Sequence, residues 1–293
     1  CDGWEVEFVG ARKESYRADS RKPIVEDGTI EDDQLRRDFT INAMAFSLNA
    51  GTFGELVDPF DGMRDLENYI IRTPCDSDTT FSDDPLRMIR AIRFATQLGF
   101  DIEDETFEAI RRNRERIEII SQERIITEMN KIMLSPVPSI GFQLFDNSGL
   151  LELIFPELSA LKGVETRNGK AHKDNFLHTL KVLDNVALKS DNLYLRWAAL
   201  LHDVGKPACR FTGADGIDHF YGHAEKSAEM SRQILRLLHA DHTRIHDVCT
   251  LVAHHDMPLS DSPRFMRRLL AKLGETQVRR LLALKRADDA GKA

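Results

Sequence analysis

The chain has 293 residues, of which 42% are hydrophobic and 30% are charged, a composition typical of a folded protein of about two domains. It contains no apolar run of about 18 residues, which argues against a membrane protein. Its net charge of −8 argues against a protein that coats nucleic acid through bulk charge, although a local basic groove is compatible with it. The four cysteines form no C-x-x-C pair, which favours a reducing, cytoplasmic environment over a disulfide or zinc framework.

The chain opens without an initiator methionine and without a signal peptide. Residues 4–9 alternate largely between apolar and acidic side chains and predict a half-buried strand. We therefore expect the natural protein to contain residues before Cys1. Thr29-Ile30-Glu31-Asp32 has the form of a capping box, and the spacing of the apolar residues predicts a helical segment from there to about residue 46.

The remaining elements are mostly helical. Residues 51–74 contain a short strand and turn, and Asp83-Asp84-Pro85 begins a strong helix that Gly99 ends. Further helices are predicted over about 104–117 and 121–134, a connecting helical segment and loop over 139–170, and helices from 175 onward. The predicted fold class is therefore mainly α with a small β remnant.

The first string whose residues indicate a binding function is Arg36-Arg37-Asp38-Phe39-Thr40-Ile41-Asn42. Adjacent arginines at the head of a helix can hold phosphates, and Asp38 and Asn42, four residues apart, can share a face and bond a sugar hydroxyl. A helical turn with solvated charges explains the same residues, and on composition alone this plainer interpretation is favoured.

The second string runs over residues 83–94 and places Asp84 three residues before Arg87. On one helix face, this carboxylate could accept from the amino group of cytosine or adenine while the guanidinium donates to a ring acceptor. Uracil and guanine present an oxygen at that position and would be repelled. A surface ion pair worth about 0.3–0.5 kcal/mol is the alternative interpretation.

Four strings resemble, in order and approximate spacing, those of bacterial CCA-adding tRNA nucleotidyltransferases and of the related bacterial poly(A) polymerases. They are R-R-D-F-T-I-N-A-M-A, D-P-F-D-G-M-R-D-L, D-D-P-L-R-M-I-R-A-I-R-F and S-x-E-R-I-x-x-E, within about residues 5–160. The resemblance implies a polymerase-β-like nucleotidyltransferase head followed by a helical neck. It also implies that Asp84 and Arg87 read the incoming CTP or ATP. The residues implied near the ribose, triphosphate or primer end are Arg37, Asp38, Asn42, Arg90 and Arg93.

The family's glycine-rich opening loop and its Asp-x-Asp metal pair are absent from this sequence. Asp76-Ser77-Asp78 has the same letters, but we expect it in a downstream loop and reject it. Two-metal phosphoryl transfer needs carboxylates to hold Mg²⁺. The Asp-x-Asp pair would supply two of these carboxylates and is missing, so only the third could be present in this sequence. We select Glu7 as this catalytic carboxylate, with Glu5 as the alternative.

The second half of the chain contains all ten histidines, since none precedes His172. His202-Asp203 follows an apolar helix that we expect Gly205, as its C-cap, and Pro207 to end. Imidazole and carboxylate together bind divalent transition metals and can activate water against a phosphate ester. A lone buried histidine, however, is more often a core residue than a ligand.

The spaced series of histidines and aspartates resembles the HD phosphohydrolase superfamily, whose His-Asp-x-Gly-Lys string is present at 202–206. The resemblance implies a first metal site formed by His178, His202, Asp203 and Asp288, with Asp289 as the competitor for the last position. It implies phosphate or second-metal roles for Lys206, His223 and His254, with His255 as the weaker candidate. The other histidines are interpreted as surface or packing residues: His172, His219, His239, His242 and His246.

The resulting hypothesis is a CCA-adding tRNA nucleotidyltransferase with an HD phosphohydrolase domain. We expect the end of the head over 1–60, a helical neck over 61–165 and the HD domain over 166–293. Expected partners are tRNA, CTP and ATP, with Mg²⁺ in the head and Ni, Mn, Co, Fe or Zn in the HD domain. The alternatives are a bacterial poly(A) polymerase, a stand-alone HD phosphohydrolase whose front half binds RNA, and a non-catalytic tRNA-binding fragment.

Overall fold

The computed structural model describes residues 3, 5–17, 20–167, 170–214 and 216–292. The chain divides into two compact units, a first unit over Cys1–Ile120 and a second unit over Ser121–Ala293. Helices dominate both units, and the described strands pair only as two-stranded ladders, four antiparallel and one parallel. The predicted fold class, mainly α with little β, is confirmed. No described helix combines the length and the apolarity that a membrane crossing requires.

The first unit begins with a hairpin and continues as short helices around α4. Its strands are β1 Arg12–Arg17, β2 Ser20–Asp27, β3 Ala45–Phe46, β4 Leu56–Val57, β5 Ile70–Ile71 and β6 Asp101–Ile102. Its helices are α1 Ile30–Leu35, α2 Gly62–Glu67, α3 Ser77–Asp83, α4 Leu86–Leu98 and α5 Asp104–Asn113, with 3₁₀ turns at Thr40–Asn42 and Arg114–Ile119. Met88, Ile89 and Ile92 of α4 are fully buried, together with Phe39 and Phe81, and form the core of this unit.

The second unit is a bundle of helices with two small hairpins. Its helices are α6 Gln122–Met133, α7 Ser139–Ser148, α8 Leu150–Ile154, α9 Pro156–Ser159, α10 Asn175–Ala187, α11 Leu193–Leu201, α12 Lys206–Cys209, α13 His223–Leu237, α14 His242–His254, α15 Pro263–Leu273 and α16 Glu275–Lys292. Its strands are β7 Val164–Arg167, β8 Lys170–Asp174, β9 Phe211–Thr212 and β10 Asp218–His219. Helix α11 is buried around its whole circumference, from Leu195 to Leu201, and lies at the centre of the bundle.

Capping residues and helix-ending residues in the sequence correctly predicted the start of α1 and both ends of α4. The capping box at Thr29 is confirmed, since its hydroxyl accepts from the backbone N–H of Asp32 and the Asp32 carboxylate accepts from that of Thr29. Helix α4 begins directly after Pro85 and ends at Gly99, whose φ of 68° is the left-handed conformation that glycine adopts without strain.

Three predictions of local structure are wrong. Residues 5–10 form no strand, and Trp4 lies outside the described residues. The helix that begins at residue 30 ends at Leu35 instead of continuing to 46, because Thr40 bonds to distant partners: its N–H donates to the Arg72 carbonyl and its hydroxyl to Asp65. The predicted loop at 76–78 is the start of α3, which the Asp76 side chain caps.

Candidate functional site

In the first unit, the segment 36–42 and α4 bring three of the predicted nucleotide-binding residues together. The carboxylate of Asp38 is buried and accepts from Arg90, whose Nε and Nη2 lie 2.7 and 2.6 Å from Asp38 Oδ2. Its other oxygen accepts from Asn42 Nδ2 at 3.0 Å. These groups form a compact set of donors and acceptors, suitable for binding a hydroxyl and a phosphate.

Asp84 and Arg87 lie at the junction of α3 and α4. Asp84 is not helical, with a φ of −137°, because a following proline disfavours the α conformation. The prediction that both residues share one helix face is therefore wrong. Asp84 Oδ1 instead accepts from the N–H of Leu86 at 3.2 Å, and Arg87 Nη2 donates to the backbone carbonyl of Arg36 at 2.7 Å. Arg87 thus connects α4 to the arginine pair.

The arginine pair lies at the carboxyl end of α1 and not at the head of a helix, as the sequence suggested. Arg36 Nη2 and Arg37 Nη2 lie 2.6 and 2.8 Å from the two oxygens of Asp33. Burial raises the pKa of the Asp33 carboxyl, but the two guanidinium groups outweigh it and leave that pKa lowered. Arg93 is buried, with its guanidinium 3.8 Å from the centre of the Phe94 ring, and its predicted nucleotide contact stays a prediction.

Glu5 and Glu7 lie in the exposed segment that precedes β1. Because that segment pairs with no strand among the described residues, it does not present these carboxylates from a sheet. The catalytic role of Glu7 stays a prediction.

In the second unit, four predicted metal ligands from α10, the end of α11 and α16 converge. His178 Nε2 lies 2.9 Å from Asp288 Oδ1 and 3.9 Å from Asp203 Oδ2. His202 Nε2 lies 3.2 Å from Asp203 Oδ2 and 3.8 Å from Asp288 Oδ1. We call these four residues the first cluster. Asp289, the sequence competitor of Asp288, is exposed and pairs with Lys292.

A second cluster uses the other oxygen of the same aspartate. His223 Nε2 and His255 Nε2 each lie 3.5 Å from Asp203 Oδ1 and 3.3 Å from one another. His254 points elsewhere, with Nδ1 against the carbonyl of Thr250 and Nε2 3.2 Å from Lys272 Nζ. The structure therefore brings together His255, which the sequence ranked lower, and not His254.

The tautomers of the clustered histidines follow from their backbone contacts. In His178, His202, His223 and His255, Nδ1 lies 2.7–3.3 Å from a backbone carbonyl oxygen, which can only accept. The accepting carbonyls belong, in that order, to Gly291, Ala199, Phe220 and Val252. With Nδ1 donating to its carbonyl, each ring in its neutral form presents its Nε2 lone pair toward the carboxylates, which is the form that binds a metal ion.

This arrangement places acceptors face to face. In that neutral form, His178 Nε2 and Asp288 Oδ1, 2.9 Å apart, are both acceptors, and so are His223 Nε2 and His255 Nε2, 3.3 Å apart. His202 Nε2 is buried and makes no well-aligned hydrogen bond, although Asp203 Oδ2 lies 3.2 Å away. A cation among these atoms satisfies all of them at once, so the residues fit a bound divalent metal ion.

The charges of the first cluster also favour a cation. Burial disfavours ionisation of Asp203, but His202, His255 and Lys206 outweigh it and hold its pKa well below its ordinary value. Burial likewise disfavours the charged form of His202, yet Asp203 and Asp288 outweigh it and raise the pKa of His202, so the site attracts a positive charge at Nε2 that a bound metal ion would supply in place of the proton. Lys206 Nζ lies 2.9 Å from Asp203 Oδ2 and balances part of the negative charge.

Beside the second cluster lies an open cleft of about 350 Å³. Its lining includes His223, His254, Glu225 and Met257. His223 is the member of the second cluster that lines this cleft, which makes the cleft a candidate place for a substrate. His254 thus lines the approach to the second cluster without belonging to it, and its predicted contact with a phosphate stays a prediction.

The remaining histidines of the described region belong to neither cluster. His219 stacks on Tyr221, and His239 is exposed and pairs with Glu123. His242 and His246 are exposed on α14. The side chain of His172 lies outside the described part of the chain.

Three family profiles match the chain in sequence order. A "Poly A polymerase head domain" matches residues 1–72, a "Probable RNA and SrmB-binding site of polymerase A" matches 99–162, and an "HD domain" matches 175–290. An A-adding tRNA nucleotidyltransferase of Deinococcus radiodurans is 36% identical over 251 residues, which cover 82% of this chain and 56% of that protein. A multifunctional CCA protein of Shewanella frigidimarina is 33% identical over 279 residues, which cover 89% of this chain and 64% of that protein.

The chain therefore spans 56–64% of the length of these two curated relatives. Among solved structures, the Bacillus stearothermophilus CCA-adding enzyme in complex with CTP aligns with a TM-score of 0.62 at 24% identity, over 90% of this chain and 56% of that one. A tRNA nucleotidyltransferase complexed with a primer tRNA and an ATP analogue aligns with a TM-score of 0.59 at 22% identity, over 94% and 74% of the two chains. At these identities the structural likeness establishes the fold.

Proposed function

We propose two functions for this chain, which belongs to the tRNA nucleotidyltransferase and poly(A) polymerase family and carries an HD domain. The first unit selects CTP and ATP for addition to the 3′ end of tRNA. The second unit hydrolyses phosphate esters. The family resemblance of the sequence strings is confirmed by the three profiles and the curated relatives. The proposal includes a cytoplasmic location and the division into a head, a neck and an HD domain at about residues 60 and 165.

The pair of clusters that share Asp203 is the observation that carries the phosphohydrolase part. His178, His202 and Asp288 would hold one divalent ion with Asp203, and His223 and His255 would hold a second. When bound, such ions polarise a phosphate ester and acidify a water molecule. Ni, Mn, Co, Fe and Zn all suit the ligand set.

The chain's own side chains supply the remaining contacts. The Lys206 ammonium lies 2.9 Å from Asp203 Oδ2, and we propose that it also contacts a phosphate oxygen of the substrate. His254 and His223 line the cleft through which that phosphate would arrive.

The nucleotide-selecting part is supported by the contacts that join the two sequence strings. Arg90 binds Asp38, and Arg87 binds the backbone of Arg36, so the arginine string and the Asp84 string meet at one place in the first unit. We propose that Asp84 and Arg87 read the base edge there, while Asp38 and Asn42 bind the ribose and Arg37, Arg90 and Arg93 contact phosphates. Mg²⁺ would serve nucleotidyl transfer, with Glu7 as the proposed carboxylate.

The phosphohydrolase proposal is tested with Asp203→Asn, which keeps the side-chain volume but removes the shared negative charge. We expect loss of bound metal, measured by elemental analysis, and loss of hydrolysis of 2′,3′-cyclic AMP. Asp289→Asn is the matched control, because this carboxylate is exposed next to Asp288 and should leave both readouts unchanged. Retention of metal and activity by the Asp203 variant would remove the proposal.

The base-selection proposal is tested with Asp84→Ala. A bidentate contact contributes about 1–3 kcal/mol of base discrimination. We therefore expect the preference for CTP and ATP over UTP and GTP to fall by about tenfold or more in nucleotide-binding titrations of this chain. Asp83→Ala, one residue earlier and at the end of α3, is the control. Equal preference in the Asp84 variant and the native chain would exclude the role.

Addition of adenosine alone is a second candidate, favoured by the relative that is named A-adding. The full-length protein would be given tRNA ending before CCA or tRNA ending in CC, with CTP and ATP supplied separately. Incorporation from CTP supports the CCA-adding function, and incorporation from ATP onto CC ends alone supports the A-adding one. Continued addition of many adenosines would instead identify a poly(A) polymerase.

A further inference from the structure

The hairpin formed by β9 and β10 carries aromatic side chains on one of its two sides. His219 lies directly opposite Phe211 in the antiparallel register, so both side chains lie on the same side of the hairpin. Tyr221 follows two positions after His219, and the two rings are stacked, with 5° between their planes and 5.3 Å between their centres. We call Phe211, His219 and Tyr221 the aromatic face.

Asp218 fixes the opposite side of the hairpin. Its buried carboxylate accepts from the Thr212 hydroxyl at 2.6 Å and from Arg210 Nη2 at 2.7 Å. Because successive side chains along a strand point to opposite sides, this network directs Phe211 and His219 away from Asp218. The aromatic face therefore has a defined orientation.

The aromatic face is open to solvent. Tyr221 is 77% exposed and Phe211 is 63% exposed. Covering flat apolar surface with another flat ring is favourable, because it removes that surface from water and allows the two rings to stack. Every nucleobase offers such a ring, whatever hydrogen-bonding groups its edge carries.

The aromatic face adjoins the cleft beside the second cluster. Gly222 and His223, the two residues after Tyr221, both line that cleft. Two residues span at most about 7 Å of chain, and His223 Nε2 lies 3.5 Å from Asp203 Oδ1. In a nucleotide only the ribose separates the base from the phosphate. A nucleotide whose phosphate lies in the cleft can therefore place its base on Tyr221.

We propose that the aromatic face binds the nucleobase of the phosphate ester that the second unit hydrolyses, with the base stacked on Tyr221. This inference rests on the proposed phosphohydrolase function and assigns the residues that hold the base. Stacking uses the flat face that all bases share, so the site accepts purines and pyrimidines alike. It contributes binding energy that a phosphate ester without a base cannot gain.

The test compares two cyclic phosphate esters, 2′,3′-cyclic AMP and glycerol 1,2-cyclic phosphate, of which only the first carries a base. Tyr221→Ala should raise the KM for cyclic AMP at least about fivefold, the loss expected when a base loses its aromatic partner. The kcat should change less than about twofold, because the base lies away from the reacting phosphate. The KM for the glycerol ester should change less than about twofold in the same variant.

Two further variants separate the ring of Tyr221 from other effects. Tyr221→Phe keeps the ring and should keep the native KM for cyclic AMP, although it removes the hydroxyl that lies 3.4 Å from His219 Nδ1. Phe53→Ala is the matched control, because it removes a ring that is 74% exposed from the first unit and should change the KM of neither ester.

Three results would overturn the inference. An equal loss on both esters would show that Tyr221 acts structurally, and an unchanged KM for cyclic AMP would show that the base does not stack there. A loss in Tyr221→Phe as large as that in Tyr221→Ala would assign the effect to the hydroxyl instead of the ring.

A binding measurement keeps this inference separate from the proposed phosphohydrolase function, which fails if the native chain hydrolyses neither ester. Titration with adenosine 2′-monophosphate then decides whether the aromatic face holds a base. Affinity at least about fivefold weaker in Tyr221→Ala than in the native chain and in Tyr221→Phe would support the inference. Equal affinity in all three, or no binding to the native chain, would overturn it.

Discussion

Gly205 lies between Asp203, which both clusters share, and the start of α12, where the chain passes against the first turns of α13. Sequence reasoning expected it to be a helix C-cap, but its φ is −80° and it precedes α12, so conformational freedom is not why glycine is needed. A Cβ at this position would lie 2.6 Å from the Ser227 nitrogen and 2.8 Å from the His223 carbonyl oxygen. Both are backbone atoms, so Gly205→Ala must push α13 away.

The cost follows from these contacts. Overpacking of this kind costs about 1–3 kcal/mol, and the hydrogen bond from Gly205 N to the buried Ser227 hydroxyl, at 2.9 Å, contributes about 1 kcal/mol more. We therefore expect Gly205→Ala to lower the free energy of unfolding by about 2–4 kcal/mol. Because His223 begins α13, a displacement of about 0.5 Å or more would also remove its Nε2 from metal-binding distance.

Urea unfolding followed by circular dichroism measures the first effect, and elemental analysis of bound metal measures the second. Gly51→Ala is the matched control, since an added Cβ there meets no atom within 4 Å. We expect that control to change stability by less than about 0.5 kcal/mol. If the Gly205 and Gly51 variants were equally stable and equally loaded with metal, the close-approach argument would be refuted.

Three further predictions concern other sites. Arg196→Met should cost about 3–5 kcal/mol in urea unfolding, because the buried guanidinium donates to four backbone carbonyls that would be left without their donor. His255→Ala should weaken the binding of a second metal ion at least about tenfold in titrations, whereas His254→Ala should leave metal binding intact and raise the KM for phosphate esters. Asp33→Asn should be less stable than the native chain at neutral pH; since the Asp33 pKa is lowered on folding, that difference should shrink as the pH falls below about 4 in acid unfolding.

Helix boundaries that depend only on neighbouring residues could be predicted from the sequence. The capping box at Thr29 and the Pro85 and Gly99 boundaries of α4 depend on residues within one turn of each boundary. The segment after Leu35 could not be predicted, because its 3₁₀ turn depends on Thr40 bonding to Asp65, 25 positions along the chain. The pattern of residues within the segment does not indicate that Thr40 bonds to a residue so far along the chain.

The same distinction applies to the candidate metal centre. The convergence of His178, His202, Asp203 and Asp288 could be predicted because the HD string and its spacing mark them. The choice between His254 and His255 depends on the phase of α14, whose buried positions Ile245, Val248 and Val252 lead by steps of three and four to 255. That periodicity can be read from the sequence. The backbone carbonyls that contact the histidine Nδ1 atoms cannot be identified from the sequence, because every residue type carries a backbone carbonyl.

The shared use of Asp203 gives a way to separate one bound ion from two. Its Oδ2 faces His178 and His202, and its Oδ1 faces His223 and His255, so loss of this carboxylate should affect both clusters. Loss of His255 should affect the second cluster alone, because the first keeps all four of its members. Metal stoichiometry in the two variants therefore distinguishes the cases. If both variants lose the same amount of metal, a single ion is bound across both clusters. If the His255 variant loses only part of the metal that the Asp203 variant loses, two ions are bound.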